Sequence, residues 1–191
     1  MKLWEEYLKC VFQLRGAFSR NRSFLWFALT LSAIVMRSDQ LGVTSFIRTL
    51  GLKPKNYSAL LNFFHSTAIN KEVLIGLWVT LTFKLFNPVI AGQYTVFVAD
   101  GLKIAKEGKK MPGVKSLHQD SGNNSKSEFI MGHSYQIISM LAKSKCGFVY
   151  AVPLYSKLCE GVILDQKKKT TLLDKLATMV LRIAPYAPKK I

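Results

Sequence analysis

The spacing of hydrophobic residues changes near the middle of the chain. In the first half, apolar residues recur at helical intervals, as at Leu3, Tyr7, Val11 and Leu14. With the boundary signals between them, these intervals predict helices near residues 2–17, 22–36, 40–50, 56–66 and 71–86. We therefore expect the first half to be an all-helical domain.

The second half has the pattern of β-strands. Val, Ile, Phe and Tyr are concentrated in three runs, at residues 94–104, 133–142 and 147–158. Only a short polar turn separates the last two runs, so they are predicted to pair as a hairpin. A helix should follow, with Thr170 or Thr171 as its N-cap. Its predicted apolar face consists of Leu172, Leu173, Leu176, Met179, Val180 and Ile183.

Asp100 stands between an apolar run and a basic, glycine-rich segment. The run at 94–99 is predicted to be a strand that ends at this carboxylate, and the segment 101–114 is predicted to be a loop. A rigidly held carboxylate can bind a hard cation such as Mg²⁺, and lysines can neutralise a phosphodiester backbone. The alternative is that Asp100 only terminates the strand, because Asp-Gly is a common turn dipeptide.

The order of motifs after Asp100 resembles a known family. Asp100, the heptapeptide Gly-Lys-Lys-Met-Pro-Gly-Val at 108–114, His118, and the pair Gly132 and His133 are similar to the start of the catalytic domain of bacterial insertion-sequence DDE transposases. The first half of the chain is similar to the usual N-terminal segment of that family at residues 27–31, 37–39, 41–46 and 63–66.

The resemblance implies a fold and an activity. The fold would be α+β, with a helical, DNA-binding domain at 1–90 and the first part of an RNase H-like α/β domain at 91–191, built from three strands and then a helix. The activity would be DNA transposition, with metal-dependent cleavage and transfer of DNA strands. Asp100 would be a catalytic residue and a ligand of Mg²⁺ or Mn²⁺.

One carboxylate does not complete such a site, because two-metal phosphoryl transfer needs several. The remaining acids of the second half, for example Glu107, Asp120, Glu128, Asp165 and Asp174, are interpreted as solvated or capping residues. We therefore expect an N-terminal fragment that is inactive alone and that self-associates or requires the missing C-terminal half.

Basic residues are the candidates for contact with DNA. Lys109 and Lys110 stand in the central motif, and short helices joined by turns are compatible with a helix-turn-helix as well as with a plain helical bundle. The predicted DNA-binding residues are Lys103, Lys106, Lys109, Lys110, Arg48 and Lys55.

The other motif residues are assigned to the loop and to substrate. Gly108, Pro112 and Gly113 would shape the loop. His118 and His133 would orient substrate or hydrogen-bond the carboxylate, although a lone histidine is more often structural.

The net charge narrows the class of partner. The chain has 27 Lys and Arg against 11 Asp and Glu, a net charge of +16, and both halves are basic. This charge favours a polyanion. Given the resemblance, we expect double-stranded DNA at element ends and a bacterial cytoplasmic, nucleoid-associated location. Two alternatives remain open, a non-catalytic DNA-binding regulator and a basic peripheral membrane protein.

Stable membrane insertion is not expected. The apolar run at 24–36 would span roughly 20 Å as a helix, and the hydrocarbon core of a bilayer is about 30 Å thick. A second run, at 73–85, is also too short.

Overall fold

Helices and strands occupy separate parts of the chain in the computed structural model, which describes residues 2–39, 42–106, 108, 111–118, 127–159 and 171–188. Over these residues the protein belongs to the α+β class, as predicted. The chain divides into two units, Met1–Trp78 and Val79–Ile191.

The first unit is helical. Its helices, of which the last continues into the second unit, are α1 (Lys2–Gln13), α2 (Asn21–Met36), α3 (Val43–Thr49), α4 (Asn56–Phe64) and α5 (Lys71–Leu85), with a 3₁₀ turn at Arg15–Ala17. The five predicted helices are confirmed, although most are shorter than predicted. No helix within the described ranges is both long enough and apolar enough to cross a membrane.

Apolar side chains at helical spacing form the core of this unit. Leu60 and Phe63 show the pattern, since they lie one turn apart on α4 and are both buried. Phe18 lies in the same core, where its ring contacts the rings of Phe24 and Phe27. The buried cluster consists of Val11, Ala17, Phe18, Phe24, Ala33, Phe46, Ile47, Leu60 and Phe63.

The second unit contains the strands and α6 (Leu172–Ile183). The strands are β1 (Ile90–Ala91), β2 (Tyr94–Thr95), β3 (Phe97–Ala105), β4 (Lys115–His118), β5 (Phe129–Lys143) and β6 (Val149–Leu158). The predicted hairpin is confirmed, because β5 and β6 pair in antiparallel register. The sequence did not predict the strand β4. It has four residues and one buried apolar side chain, Leu117, which is too short a pattern to indicate a strand.

The long strand β5 is the centre of the main sheet. Residues 135–140 of β5 pair with β3 on one side and with β6 on the other. Gly132 of β5 has partners in both β3 and β4, so β4 lies on the same side as β6. All these pairs are antiparallel, and β3 is an edge strand among the described residues.

One face of this sheet is buried against α6. The β5 side chains Ile138, Met140 and Ala142 are fully buried on that face, and Met179 and Ile183 of α6 are buried as well. The predicted apolar face of α6 was partly wrong, since Leu173 and Val180 are exposed. The buried residues recur at intervals of three and four, which puts Leu173 and Val180 beside the contact line rather than on it. Half-buried Leu176 falls on that line, and the side chain of Leu172 is outside the described set.

The start of α6 agrees with the sequence. Thr171 is the N-cap, and its side chain and that of Asp174 form reciprocal hydrogen bonds with each other's backbone N–H groups. The alternative N-cap, Thr170, lies outside the described residues.

The boundary between the units differs from the prediction. It falls within α5, after Trp78, and not between residues 90 and 91. The end of α5 belongs with the sheet because it packs there: the ring of Phe83 contacts that of Phe97 in β3 edge-on, with centroids 6.5 Å apart. Because an apolar helix has no break in its pattern at this point, the sequence could not show the change of partner.

Candidate functional site

Asp100 lies in the middle of β3, which corrects its predicted position at a strand end. Its Cα partner is Ile137 of β5, and the strand continues to Ala105. The Asp-Gly pair does not turn here because Leu102 and Ile104 continue the alternation and pair with β5. The basic segment after Asp100 therefore begins as a strand, and the loop starts later than predicted.

The Asp100 side chain is on the open face of the sheet. It shares that face with Val98, Leu102 and Ile104, all of which are exposed. The N–H groups of Lys106 and Leu141 donate to Met131 and Val96, respectively, so the even-numbered residues of β3 direct their backbone groups towards β5.

It follows that Gly101 directs its N–H to the outer edge of β3. This N–H donates to Asp100 Oδ1 at 2.7 Å. The carboxylate thus satisfies a backbone donor that an edge strand would otherwise leave to solvent or to another chain.

The motif residues Met111 to Val114 form a tight turn. The Val114 N–H donates to the Met111 carbonyl at 3.1 Å, Pro112 holds the second position, and Gly113 has φ 75°. These features are those of a type II turn. A Cβ on Gly113 would lie 2.9 Å from Leu158 Cδ2, so both the backbone and the packing favour glycine. Pro112 and Gly113 therefore fix the conformation of this turn.

Residues 108–110 precede this turn in the motif. The carbonyl of Gly108 accepts a hydrogen bond from the Met111 N–H at 3.2 Å. Lys109 and Lys110, the predicted contacts with the DNA backbone, lie outside the described residues.

His133 attaches this turn to the sheet. Its Nε2–H donates to the Pro112 carbonyl at 2.9 Å, and the residue is only 7% exposed. His133 is paired with Ile104, so it lies on the same face as Asp100. Its buried Nδ1 has no hydrogen-bond partner among the described residues.

His118 lies elsewhere on the sheet. It pairs with Phe129, the first residue of β5, whereas Asp100 pairs with Ile137 in the middle of that strand. His118 Nε2 is 3.4 Å from Glu128 Oε1, and its ring packs edge-on against Phe129. Neither His118 nor His133 hydrogen-bonds the Asp100 carboxylate in this structure.

The described acids do not assemble into a Mg²⁺ or Mn²⁺ site. Asp100 has one oxygen engaged by Gly101, Glu128 is beside His118, and Asp174 caps α6. The described part of the chain contains no cluster of three or more His, Cys, Asp or Glu that could hold a metal ion. Glu107, Asp120 and Asp165 lie outside it.

Three of the predicted DNA-binding side chains are paired or partly buried within the protein. Lys103 Nζ donates to the His118 carbonyl at 2.6 Å, and Lys106 is half-buried at the end of β3. Arg48 faces Asp39 at 3.8 Å. The interactions of Lys103 and Arg48 must be given up, at least in part, before these charges can pair with phosphate.

Lys55 has a different setting, because it lines an open groove of about 420 Å³ in the first unit. The groove runs between the first turns of α2 and the helix α4. Its polar lining consists of Arg22, Ser23, Trp26, Lys55, Ser58, Asn62 and Ser66. Apart from Lys55, the sequence did not indicate these residues. They come from two helices that are not consecutive in the chain and from residues that flank the second one. The basic residue at the start of each helix is the one sequence signal for the groove.

Comparisons with known proteins do not identify a family for this chain. The chain matches no protein-family model, no curated protein and no solved structure.

Proposed function

We propose that this chain binds duplex DNA and is related to the DDE transposases that its motifs resemble. In this proposal the helical unit is a DNA-binding domain, and the sheet is the opening of an RNase H-like domain in which Asp100 holds the position of a catalytic carboxylate. Mg²⁺ or Mn²⁺ would be the metal of the complete site, and association with the bacterial nucleoid would follow from the binding.

One observation carries the proposal. Asp100 and the turn at 111–114 share a face of the antiparallel sheet, because the turn packs on His133 and Leu158 of that face. The two parts of the motif are separated in sequence by ten residues. That the fold returns the second part to the face of the first supports a common role on that face.

The charge supports a polyanionic partner. The net charge is +16, and Asp100 and its β3 neighbours on the open face of the sheet are exposed. Electrostatic attraction of this size produces salt-dependent, largely sequence-independent binding to DNA.

Strand transfer by this chain alone is not part of the proposal. The described residues offer one exposed carboxylate, Asp100, on the open face, and that carboxylate accepts the Gly101 N–H. Because phosphoryl transfer by two metals needs several carboxylates around them, binding should be retained while cleavage is absent. A non-catalytic regulator of DNA is therefore the second candidate, and the lone carboxylate favours it.

The test measures binding and cleavage on the same sample. Purified chain and its Asp100→Asn variant are incubated with labelled duplex DNA and Mg²⁺ or Mn²⁺, and products are separated on a denaturing gel. Asn at this position can still accept the Gly101 N–H, so the variant changes the charge with little effect on the edge of β3. We expect salt-dependent binding by both proteins and no cleavage by either.

Two results would contradict this expectation. Metal-dependent cleavage that Asp100→Asn abolishes would show that the chain is an active nuclease. Absence of any binding to duplex DNA at 50 mM salt would remove the proposed function altogether.

A further inference from the structure

The groove between α2 and α4 has the composition of an anion site. Its lining includes two cations, Arg22 and Lys55, and three neutral donors, Ser23, Ser58 and Asn62. The acids of the first unit do not line it. A concave site lined by donors of one sign attracts a negatively charged ligand.

Neither cation of the groove is neutralised internally. Arg22 and Lys55 are exposed and form no ion pair within the part of the chain that the structure describes. Arg48, in contrast, lies beside Asp39. The groove cations can therefore pair with a ligand without first breaking a contact in the protein.

The position of Ser23 supports a ligand site in this groove. Ser23 is only 8% exposed and lines the groove, yet its hydroxyl makes no hydrogen bond with any described residue. The Ser23 oxygen is not among the fully buried atoms that lack a partner, so it is accessible from the groove. A ligand oxygen in the groove can therefore accept a hydrogen bond from this hydroxyl.

The helix α2 adds its own donors. Its N-cap residue, Arg20, makes no side-chain capping bond, so that side chain satisfies none of the N–H groups of the first turn. Arg22 and Ser23 belong to that turn. The positive end of the α2 dipole therefore adds to the positive potential that Arg22 gives this end of the groove.

We infer that this groove binds the sugar-phosphate backbone of DNA, with Arg22 and Lys55 on phosphate oxygens and Ser23 donating to one of them. This inference rests on the proposed function and specifies where the helical unit holds the duplex. It also changes the expected site, because the cation that shares the groove with Lys55 is Arg22 rather than Arg48.

The site fits a backbone better than a membrane surface. Its lining combines hydroxyl, amide and cationic groups at spacings set by two rigid helices, and backbone contacts in DNA complexes use these groups. A lipid surface would instead be bound by an amphipathic helix that buries a broad apolar face. The apolar lining of the groove is confined to Trp26, Ala59 and Phe63.

The experiment compares two double variants of the whole chain. Arg22→Gln/Lys55→Gln removes both groove cations. Arg20→Gln/Lys53→Gln removes two equally exposed charges, each two positions away and outside the groove. Binding of a labelled 20-base-pair duplex is followed by fluorescence anisotropy from 50 to 200 mM salt, and circular dichroism verifies that both variants fold.

We expect the groove variant to bind at least about tenfold more weakly than wild type. The slope of log affinity against log salt should fall by about 1.8, since each phosphate contact contributes about 0.9. The control variant should lose less than half as much in both quantities.

Four results would overturn the inference. Equal losses in the two variants would mean diffuse attraction, and wild-type binding by the groove variant would place the DNA elsewhere while leaving the proposed function intact. Failure of the wild type to bind DNA would remove both proposals. Release of the duplex by anionic vesicles, at a lipid phosphate concentration equal to that of the DNA, would assign the groove to a membrane.

A second variant separates binding from stability. Ser23→Ala removes a hydroxyl that has no hydrogen-bond partner among the described residues, so the melting temperature should be unchanged or higher. Affinity for the duplex should fall roughly two- to tenfold, the usual effect of one hydrogen bond. An affinity equal to that of wild type would show that Ser23 does not contact the DNA, and it would overturn the binding site inferred for this groove.

Discussion

The groove in the helical unit and the motif face of the sheet differ in how their polar groups are used. On the sheet, Asp100 accepts the Gly101 N–H, His133 holds the Pro112 carbonyl, and Lys103 holds the His118 carbonyl. In the groove, Arg22 and Ser23 have no such internal partner among the described residues. The motif residues thus stabilise the fold of the sheet unit. The groove, whose donors have no described internal partner, is instead formed by residues that lie far apart in the sequence.

This difference separates stability from binding. Substitutions in the motif should act mainly on the folding of the second unit, because its side chains are engaged there. Substitutions in the groove should act mainly on affinity, as proposed for Arg22, Lys55 and Ser23. Each of the following predictions examines one contact of the sheet unit, from the largest expected effect to the smallest.

The largest effect is expected at Gly132. A Cβ at this position would lie 2.3 Å from the Ile104 carbonyl oxygen, a backbone atom that cannot move without disturbing β3. Gly132→Ala should destabilise the second unit by roughly 3 kcal/mol, as overpacking against a fixed neighbour does. Urea unfolding monitored by circular dichroism would measure the loss.

Gly101→Ala is the matched control for Gly132→Ala. Gly101 is in the adjacent strand, and a Cβ there would meet only the Tyr135 carbonyl oxygen at 3.9 Å, an ordinary contact. We expect a change within about 0.5 kcal/mol. Equal stability of the two variants would contradict the close approach of β3 and β5 at Gly132.

A smaller effect is expected at His133. His133→Phe loses the hydrogen bond to the exposed Pro112 carbonyl but also removes the buried Nδ1 that has no described partner, and these effects are each about 1 kcal/mol and opposite in sign. His133→Ala also loses the packing of the ring. The alanine variant should therefore be about 2 kcal/mol less stable than the phenylalanine variant.

The His133 pair also tests the motif's function. If His133 only attaches the turn, DNA binding by His133→Phe should equal that of wild type. A normal melting temperature combined with a large loss of affinity would show that Nδ1 serves a ligand, and it would weaken the contrast between the sheet and the groove.

Local signals explain which parts of the fold the sequence could predict. Helical spacing located α1 to α5, and the dense β-branched runs located the hairpin of β5 and β6. Thr171 and Asp174 indicated the start of α6, because capping is an interaction between residues close in sequence. These elements are determined by residues within one or two turns of each other.

Tertiary partners explain the parts that could not be predicted. Asp100 was placed at a strand end because a basic, glycine-rich segment follows the apolar run at 94–99, but pairing with β5 extends β3 to Ala105. The strand β4 depends on its partner rather than on its own pattern. Arg22 and Lys55 share a groove only because α2 packs beside α4, a contact that no spacing in the sequence encodes.

The smallest effect is expected at the N-cap of α6. Like Asp100, Asp174 accepts a hydrogen bond from the backbone of its own unit. The backbone N–H and the hydroxyl of Thr171 donate to Asp174, and these hydrogen bonds lower the pKa of its carboxyl group. Because the folded pKa lies below the ordinary aspartate value of about 3.9, ionised Asp174 stabilises α6 above that value, and the contribution is lost as pH falls through the folded pKa. Wild type should therefore be slightly more stable than Asp174→Asn at pH 7, and the difference should shrink as pH falls below the ordinary aspartate value. Urea midpoints of both proteins from pH 7 into the acid range would measure it, and a difference that did not depend on pH would mean that the carboxylate charge is not its source.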